Sequence, residues 1–371
     1  MLKSERIVSV DFLRGFTVAS MILVNNPGSW EHVYAPLRHA TWNGCTPTDL
    51  IFPFFLFVIG ISIVYSMEGR SKASEDPQRK RILKILKRSS ILFLLGLFLN
   101  VIPEFDLATI RIPGVLQRIA IVFLVTALLF LKTSLRTQVV VAIGILILYW
   151  LVMTLIPLPG LGYANLTPTA NIGAWLDVTL LKGHLWKYSL VWDPEGILST
   201  FPAIVSCMVG VLAGSWLKSN REQNEKLIYL FIAANVLLLL GLCWDLIFPI
   251  NKNLWTSSFV LYTSGIALHA LALSYWMIDV MQYRKYLNPF VAFGANAIVA
   301  YMISEILTKA VSFVKIDYKG ITLPFKNALF LWLNEKWTHP NFISFVLAFV
   351  WLIVIWLPIQ WMYKQKIFIK V

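Results

Sequence analysis

The run Arg38-His39-Ala40-Thr41-Trp42-Asn43-Gly44 stands just ahead of Thr46-Pro47-Thr48-Asp49, a helix start with a hydroxyl cap and a carboxylate in its first turn. A neutral imidazole at His39 has the chemistry of a general base or nucleophile near neutral pH. Asn25, at the end of the preceding apolar segment, carries an amide able to donate a hydrogen bond to a developing oxyanion. The plainer reading of His39, a satisfied polar residue in a loop, stands beside the catalytic one.

Other polar residues fall inside apolar stretches, where an ionisable group costs several kcal/mol unless paired. Asp11 and Arg14 are three apart and share a helix face. They read either as an ion pair fixing the first helix or as a site where Arg14 holds an anion in a cavity open to the cytosol. Gln117 and Arg118 lie one turn into the helix opened by Arg111-Ile112-Pro113-Gly114, and fit a structural network as well as a ligand. Trp192-Asp193-Pro194-Glu195-Gly196 and Asn251-Lys252-Asn253-Leu254-Trp255 combine carboxylates, amides and indole faces that suit a sugar; an interfacial tryptophan belt with ordinary caps is the alternative. Asn296 and Glu305 form a further polar pair within one helical segment, where Glu305 needs a proton or a partner.

His32, His184, His269 and His339 do not join Cys, Asp or Glu at metal-ligand spacing, so no metal is expected. Cys45, Cys207 and Cys243 are too scattered for a disulfide framework and read as packing residues.

The elements that must position these groups follow from composition. Hydrophobic residues make up 58% of the 371 and charged residues only 14%, which excludes an ordinary soluble enzyme and a disordered chain. The apolar residues gather in blocks of roughly 18 to 24, each about long enough to cross a hydrocarbon core as a helix. Spans are expected at 8–26, 48–67, 89–103, 112–131, 138–156, 197–217, 227–248, 255–278, 289–309 and 341–363. The fold class is therefore all-α: a polytopic transmembrane helical bundle of about ten spans, treated as one domain over 1–371. The first span has Asp11 and Arg14 inside it and no small-residue cleavage pattern, so it is expected to remain as a helix.

The net charge of +13 would suggest a nucleic-acid partner in a soluble protein, but here the basic residues flank apolar segments and set topology. With the N-terminus inside, 20 Lys and Arg lie on that side and ten on the other, which predicts both termini in the cytoplasm. The long connections 27–47, 157–196 and 310–340 then face outward, where a polar extracytoplasmic ligand is naturally held. The basic run Arg79, Lys80, Arg81, Lys84, Lys87 and Arg88 faces lipid headgroups, or attracts a cytosolic polyphosphate. No internal repeat is visible, so an inverted-repeat transporter gains no support.

Ser9-Val10-Asp11 with Arg14-Gly15, Val24-Asn25, His39-Ala40-Thr41-Trp42-Asn43-Gly44, Asp49-Leu50-Ile51-Phe52-Pro53, Arg111-Ile112-Pro113-Gly114-Val115-Leu116-Gln117-Arg118, Asp193-Pro194-Glu195-Gly196-Ile197-Leu198 and Asn251-Lys252-Asn253-Leu254-Trp255 together resemble the heparan-α-glucosaminide N-acetyltransferase family. The matches run in order over most of the chain. The resemblance implies transfer of an acetyl group from cytosolic acetyl-CoA to the amine of a glucosamine-type sugar across the membrane, with His39 catalytic and Asn25 at the position of a catalytic-site asparagine. On that reading Arg14, Arg118, Gln117 and Asp11 line the acyl-donor passage. Trp42, Asn43, Asp49, Asp193, Glu195, Asn251 and Trp255 contact the sugar. It implies a bacterial inner membrane setting among lipids, and a homodimer.

Two departures bear on the acceptor. The large luminal N-terminal region of the animal members is not expected in this protein, and 26–38 differs in length and residues, so a free amino sugar or short glycan end is expected rather than polymeric heparan sulfate. A different class of function, an amino-sugar permease without acyl transfer, would place the same polar residues along a transport path.

Overall fold

The computed structural model describes residues 7–67, 77–102 and 105–369. Lys3, Arg6, Arg70, Lys72 and Lys370, which enter the charge count above, lie outside the described residues.

In chain order the helices are α1 (Val8–Val24), α2 (Ile51–Met67), α3 (Pro77–Val101), α4 (Val115–Lys132), α5 (Leu135–Leu155), α6 (Ile172–Leu181), α7 (Thr200–Lys218), α8 (Gln223–Asp245), α9 (Ser257–Tyr275), α10 (Asn288–Ala295), α11 (Ala297–Phe313), α12 (Phe325–Lys336) and α13 (Pro340–Lys364). Short 3₁₀ turns cover Ala35–Leu37 and Pro47–Leu50, and a π turn over Trp276–Val280 extends α9. Among the described residues there are also two small antiparallel hairpins: β1 (Leu166–Thr167) with β2 (Ala170–Asn171), and β3 (Lys315–Tyr318) with β4 (Ile321–Pro324). Side-chain caps start several helices. Ser134 accepts from Thr137 N–H ahead of α5, Asn171 from Ala174 ahead of α6, and Thr256 from Phe259 ahead of α9.

Among the described residues, seven helical stretches are long and apolar enough to cross a membrane: Pro47–Met67, α4, α5, α7, α8, α9 with its π turn, and α13. An eighth arises if α10 and α11 count as one span. Three of the ten expected spans therefore differ from expectation. α1 has 17 residues and falls just short of the others in length. The segment 89–103 is the apolar half of a longer helix: α3 begins at Pro77, so Arg79, Lys80, Arg81, Lys84, Lys87 and Arg88 lie on helical turns and not in a short loop. Lys and Arg are good helix formers, and a proline at the first helical position is favourable.

The third difference is at 289–309. α10 and α11 meet at Asn296 with a bend of 86°. Asn296 leaves the helical region (φ −125°, ψ 40°), and its side chain donates to Ile367 O at 3.0 Å and accepts from Ile369 N at 3.2 Å. The amide binds the chain end, and the helical ladder breaks there. Asn296 is thus the corner of a broken helix, while Glu305 lies within α11.

The chain packs into two compact units, each assembled from more than one stretch. Of the described residues, one unit takes those within Ala40–Cys45 and Pro53–Met281, and the other those within Val8–His39, Thr46–Phe52 and Gln282–Val371. In the first unit α7 and α9 are the most buried of the candidate spans, with 72% and 67% of residues covered, whereas α8 and α5 keep most of their surface exposed, as lipid-facing helices do. α2 and α7 approach backbone to backbone. A Cβ on Gly210 would lie 1.9 Å from Phe57 O, and one on Gly60 would lie 2.0 Å from Cys207 O. In the second unit α1 and α10 cross in the same way, with Gly15 against Phe290 O and Gly294 against Asp11 O.

This packing makes a direct prediction. Gly210→Val forces a backbone carbonyl to move and should cost about 1–3 kcal/mol or more, lowering the melting temperature of the detergent-solubilised protein. Gly144→Val on α5 meets nothing within 4 Å and should stay near wild type. Equal melting temperatures for the two variants would contradict the close α2–α7 approach.

Candidate functional site

The second unit holds His39. Its Nδ1 lies 2.7 Å from Asp49 Oδ1, with the histidine side chain 44% exposed and the aspartate 1%. Asp49 is fixed on its other oxygen: Oδ2 accepts from Thr46 N–H and from Thr46 Oγ1, both at 3.0 Å. This is a capping box on the turn that opens the next helix, with Pro47 at the first helical position. Thr46 Oγ1 also lies 2.7 Å from Arg38 O. Asp49, expected to touch sugar, is instead buried beneath His39, and its charge sits at a helix N-terminus, where the exposed amides favour it.

Asn25 follows the last residue of α1 and is exposed, its N–H bonded to Met21 O at 3.1 Å. Beneath it Asn26 is buried, donating to Ile22 O at 2.8 Å and accepting from Thr308 Oγ1 at 2.7 Å. Sequence reading passed over Asn26; only its contact with α11 distinguishes it from its neighbour. Lower on α1, Arg14 Nη1 donates to Asp11 Oδ1 and to Gly294 O, both at 3.2 Å. Asp11 and Arg14 therefore make the ion pair of the plainer reading, with the guanidinium also on a carbonyl in the last turn of α10.

In the first unit, residues 40–45 are anchored at three points. Trp42 Nε1 donates to Leu166 O at 2.9 Å, Asn43 Oδ1 accepts from Asn251 Nδ2 at 3.1 Å, and Gly44 N donates to Ile250 O at 2.7 Å. Gly44 has φ +102°, a conformation that requires glycine. Asn251 is wholly buried and also accepts from Leu254 N at 2.9 Å, so its side chain is used within the fold.

A second cluster in this unit gathers around Arg111. Its guanidinium donates to both oxygens of Asp193, at 2.8 and 2.5 Å, and to Glu195 Oε2 at 2.6 Å. The backbone around Arg111 is held from two sides: Ile112 N donates to His184 O at 3.0 Å, and Asn100 Nδ2 to Arg111 O at 2.7 Å. Burial pulls the Arg111 pKa down, but the bonds and charge from Asp193 and Glu195 outweigh it and hold the group above the ordinary arginine range. Burial raises the Glu195 carboxyl; Arg111, Arg118 and Lys252 together hold it below its usual value.

One turn into α4, Arg118 is 1% exposed and donates to Gly196 O at 3.2 Å and to Ser199 Oγ. Its guanidinium lies 5.1 Å from the Trp255 ring centroid, while its Nε and Nη1 have no hydrogen-bond partner. Gln117, also buried, has an unpartnered Nε2. Trp255 is itself buried, with Nε1 donating to Ser206 Oγ at 3.1 Å, so its ring packs on Arg118 and not toward solvent.

Asp177 on α6 completes the cluster and was not singled out in the sequence. Its Oδ1 accepts from Ile197 N at 2.9 Å, and its Oδ2 fills the space a Cβ on Gly196 would need. A carboxylate amid the apolar run of α6 was the available signal. Burial pushes its carboxyl up to about 6, against hydrogen bonding from Ile197. No group of three His, Cys, Asp or Glu that could hold a metal occurs among the described residues.

Comparison with known proteins bears on this arrangement. The sequence model of the family described as heparan-alpha-glucosaminide N-acetyltransferase, catalytic, matches residues 6–248, well over half of the chain. The chain belongs to that family. The matched stretch includes Asn25, His39, Asp49, Arg111, Arg118, Asp193 and Glu195, and ends before Asn251 and Trp255. The human heparan-alpha-glucosaminide N-acetyltransferase is 29% identical over 426 aligned positions, covering 99% of this chain and 60% of the human protein. The mouse protein is 28% identical over 430, covering 99% and 61%. The chain thus spans about 60% of the length of the curated relatives it matches.

Two outcomes test the Arg111 cluster. Arg111→Ala leaves Asp193 and Glu195 buried without their cation and should cost about 3–5 kcal/mol, read as a fall in melting temperature or loss of folded protein. Asp177 gives a pH signature. Its folded pKa of about 6 exceeds the usual 3.8, so in that window the folded protein keeps a proton that the unfolded chain has released. Its contribution to stability therefore falls as pH rises from 3.8 to about 6. Glu195 works in the opposite sense and only at lower pH, where its carboxyl becomes protonated. Melting curves between pH ~5 and ~7 should flatten in Asp177→Asn. An unchanged slope would show that Asp177 is not the group involved.

Proposed function

We propose that this protein is a membrane-embedded acetyltransferase that moves an acetyl group from cytosolic acetyl-CoA to the amine of a glucosamine-type sugar on the extracytoplasmic side. The observation that carries this reading is the His39–Asp49 pair, set in the motif that the family resemblance marks as catalytic. Both termini are assigned to the cytoplasm on the positive-inside pattern. The nucleotide end of CoA, with phosphates that do not cross a bilayer, stays at the basic cytosolic mouth, and the pantetheine arm carries the thioester toward His39.

The chemistry follows from the paired imidazole. Asp49, acting through Nδ1, fixes the ring and stabilises an imidazolium, which assigns the reacting role to Nε2. Nε2 takes a proton from the sugar ammonium. The neutral amine then attacks the thioester carbonyl, a C–N bond forms, and the C–S bond breaks as CoA leaves as thiolate. The imidazolium gives its proton to the thiolate to form the thiol, and the freed imidazole takes the second proton from the new amide nitrogen and releases it to solvent. Asn25 Nδ2 donates to the oxyanion of the tetrahedral intermediate. Direct attack of this kind needs no covalent intermediate; an acetyl-imidazole on Nε2, resolved by the amine, uses the same groups in two steps.

Of the charged residues, Arg14 and Arg118 are assigned to the donor passage, with Gln117 beside Arg118. Arg118 fits because two of its guanidinium nitrogens lack hydrogen-bond partners. Trp42, Asn43, Asp193 and Glu195 flank the acceptor. The broken α10–α11 helix is a feature that the permease alternative would share, since discontinuous helices commonly line transport sites.

The deciding assay is acetyl transfer from labelled acetyl-CoA to glucosamine by purified protein in proteoliposomes. His39→Ala should lower kcat by ~10²–10⁴-fold with folding retained. Asp49→Asn should lower kcat by at least ~10-fold while leaving KM for acetyl-CoA nearly unchanged. Glucosamine uptake that needs no acyl-CoA and survives His39→Ala would establish the permease instead.

A further inference from the structure

Within the first unit, the packing of α3 on α4 sets the depth at which the basic turns of α3 lie. Asn100 Nδ2 donates to Arg111 O just ahead of α4, and a Cβ on Gly96 would meet Gln117 Oε1. Further back on α3, Ser89 Oγ donates to Ala120 O at 2.7 Å, and the Arg88 guanidinium stands 4.6 Å from the Phe123 ring centroid. As the contacts go back along α3 they go forward along α4, so the two helices are antiparallel. Phe123 is nine residues short of Lys132, the end of α4, which is about 13 Å at the usual helical rise. α4 qualifies as a span over its whole length, Val115–Lys132. Lys84, Lys87 and Arg88 therefore run beside the second half of α4, inside the end of a span and not beyond it.

The same turns of α3 are amphipathic. Ile82, Leu83, Ile85 and Leu86 are interleaved with the basic residues, and Leu83 and Leu86 are 56% and 42% exposed. Lys80, Lys84 and Lys87 follow one another at spacings of four and three, which places them on one face, and all three are exposed. Exposed leucines at the depth of a span meet acyl chains, so the neighbouring lysines open onto lipid and not into an aqueous cleft. α3 contains no acidic residue, and among the described residues no ion pair uses Lys80, Lys84 or Lys87. A lysine so placed keeps its charge by laying its stem along apolar surface and extending its ammonium to the headgroup level.

We propose that the Lys80, Lys84 and Lys87 face of α3 is a binding site for an anionic phospholipid, with the headgroup phosphate on the ammonium groups and the acyl chains along Leu83 and Leu86. Charge and shape both select this occupant. Three cations without an acid on the helix call for net negative charge, which a zwitterionic headgroup lacks because it brings its own cation. A soluble polyphosphate from the cytosol has the charge but no chains to cover the leucines. The site goes beyond the acetyltransferase reading and does not depend on it.

The test uses the full chain in detergent, titrated with dioleoyl phosphatidylglycerol or dioleoyl phosphatidylcholine, with retained lipid counted by native mass spectrometry and melting temperature followed in parallel. The wild type should hold the anionic lipid at least ~10-fold more tightly and should be stabilised by it alone. Each lysine against an anionic headgroup is worth roughly fivefold in affinity. Lys84→Gln with Lys87→Gln should therefore remove most of the preference, and Lys84→Arg with Lys87→Arg should keep it. Equal retention of the two lipids by the wild type would overturn the site, whatever the variants do. Equal loss of preference in Arg136→Gln with Arg221→Gln, which removes the same charge elsewhere, would reduce the effect to net charge and overturn it too. Displacement of the anionic lipid by acetyl-CoA would show that the lysines serve a soluble polyphosphate, against the proposal.

Discussion

An apolar helical protein admits charge only in compensated sets, and the positions of the polar residues follow from that constraint. Transfer of a lone ionised group out of water costs several kcal/mol even after relaxation, more than a typical margin of stability can absorb twice. The first unit meets the constraint by concentrating its charges. Arg111 engages Asp193 through two parallel hydrogen bonds and reaches Glu195 with the same nitrogen, while Arg118 holds the Gly196 carbonyl one turn away. The start of α4 is thereby tied to the start of α7, although 82 residues separate Arg111 from Asp193. The fork geometry of arginine is what allows a single side chain to join two acids and fix direction as well as charge.

The same constraint sorts the carboxylates by role. Asp193 is held by Arg111 through both oxygens and Glu195 through Oε2, so each carboxylate has a cation partner. Asp177 has a backbone amide as its donor and no cation within salt-bridge distance among the pairs described, so burial dominates and its proton is retained to higher pH. Asp49 is different again. Its second oxygen is held by Thr46 in a capping box, and its first faces a partly exposed imidazole. A carboxylate anchored on one side by a helix start and presented on the other to a histidine orients that ring with little freedom, as a positioning residue must.

Much of the fold was legible because hydrophobic length is a strong signal: nine of the ten apolar blocks expected from the sequence fall on a single helix each, the block at 289–309 is split between α10 and α11, and seven qualify as spans on length and composition among the described residues. What misled was local chemistry inside those blocks. Asn296 reads as one polar residue in an apolar run, and only its two bonds to the chain end explain the 86° break. The basic turns of α3 read as a loop because charge was weighed above helix propensity. In the site, the residue types near His39 were legible, but the His39–Asp49 contact was not. Asp49 reads in the sequence as a first-turn carboxylate and a sugar contact, and a capping box uses only one of its oxygens, leaving the other for His39. Asp177 was passed over because it matches no motif; its importance arises from burial against Gly196, a tertiary fact.

One departure from low-energy structure lies around Trp255. A tryptophan at φ +52° is an unusual backbone state for a bulky residue, and the adjoining Arg118 keeps two guanidinium nitrogens without hydrogen-bond partners. Each costs free energy, and the two are in contact. The arrangement persists because one ring meets several demands at once. The Trp255 face carries the guanidinium, its Nε1 reaches Ser206, and its edge meets Phe259 with centroids 5.3 Å apart. Asn251 and Thr256 fix the turn from both ends, through the Asn251 N–H to Thr256 Oγ1 bond at 3.0 Å. Relaxing the Trp255 backbone would remove the ring from the cation and leave Arg118 with only its bonds to Gly196 and Ser199. The turn and the ring–cation contact occur together, and the contact fixes the Arg118 guanidinium beside the Gly196 carbonyl and Ser199.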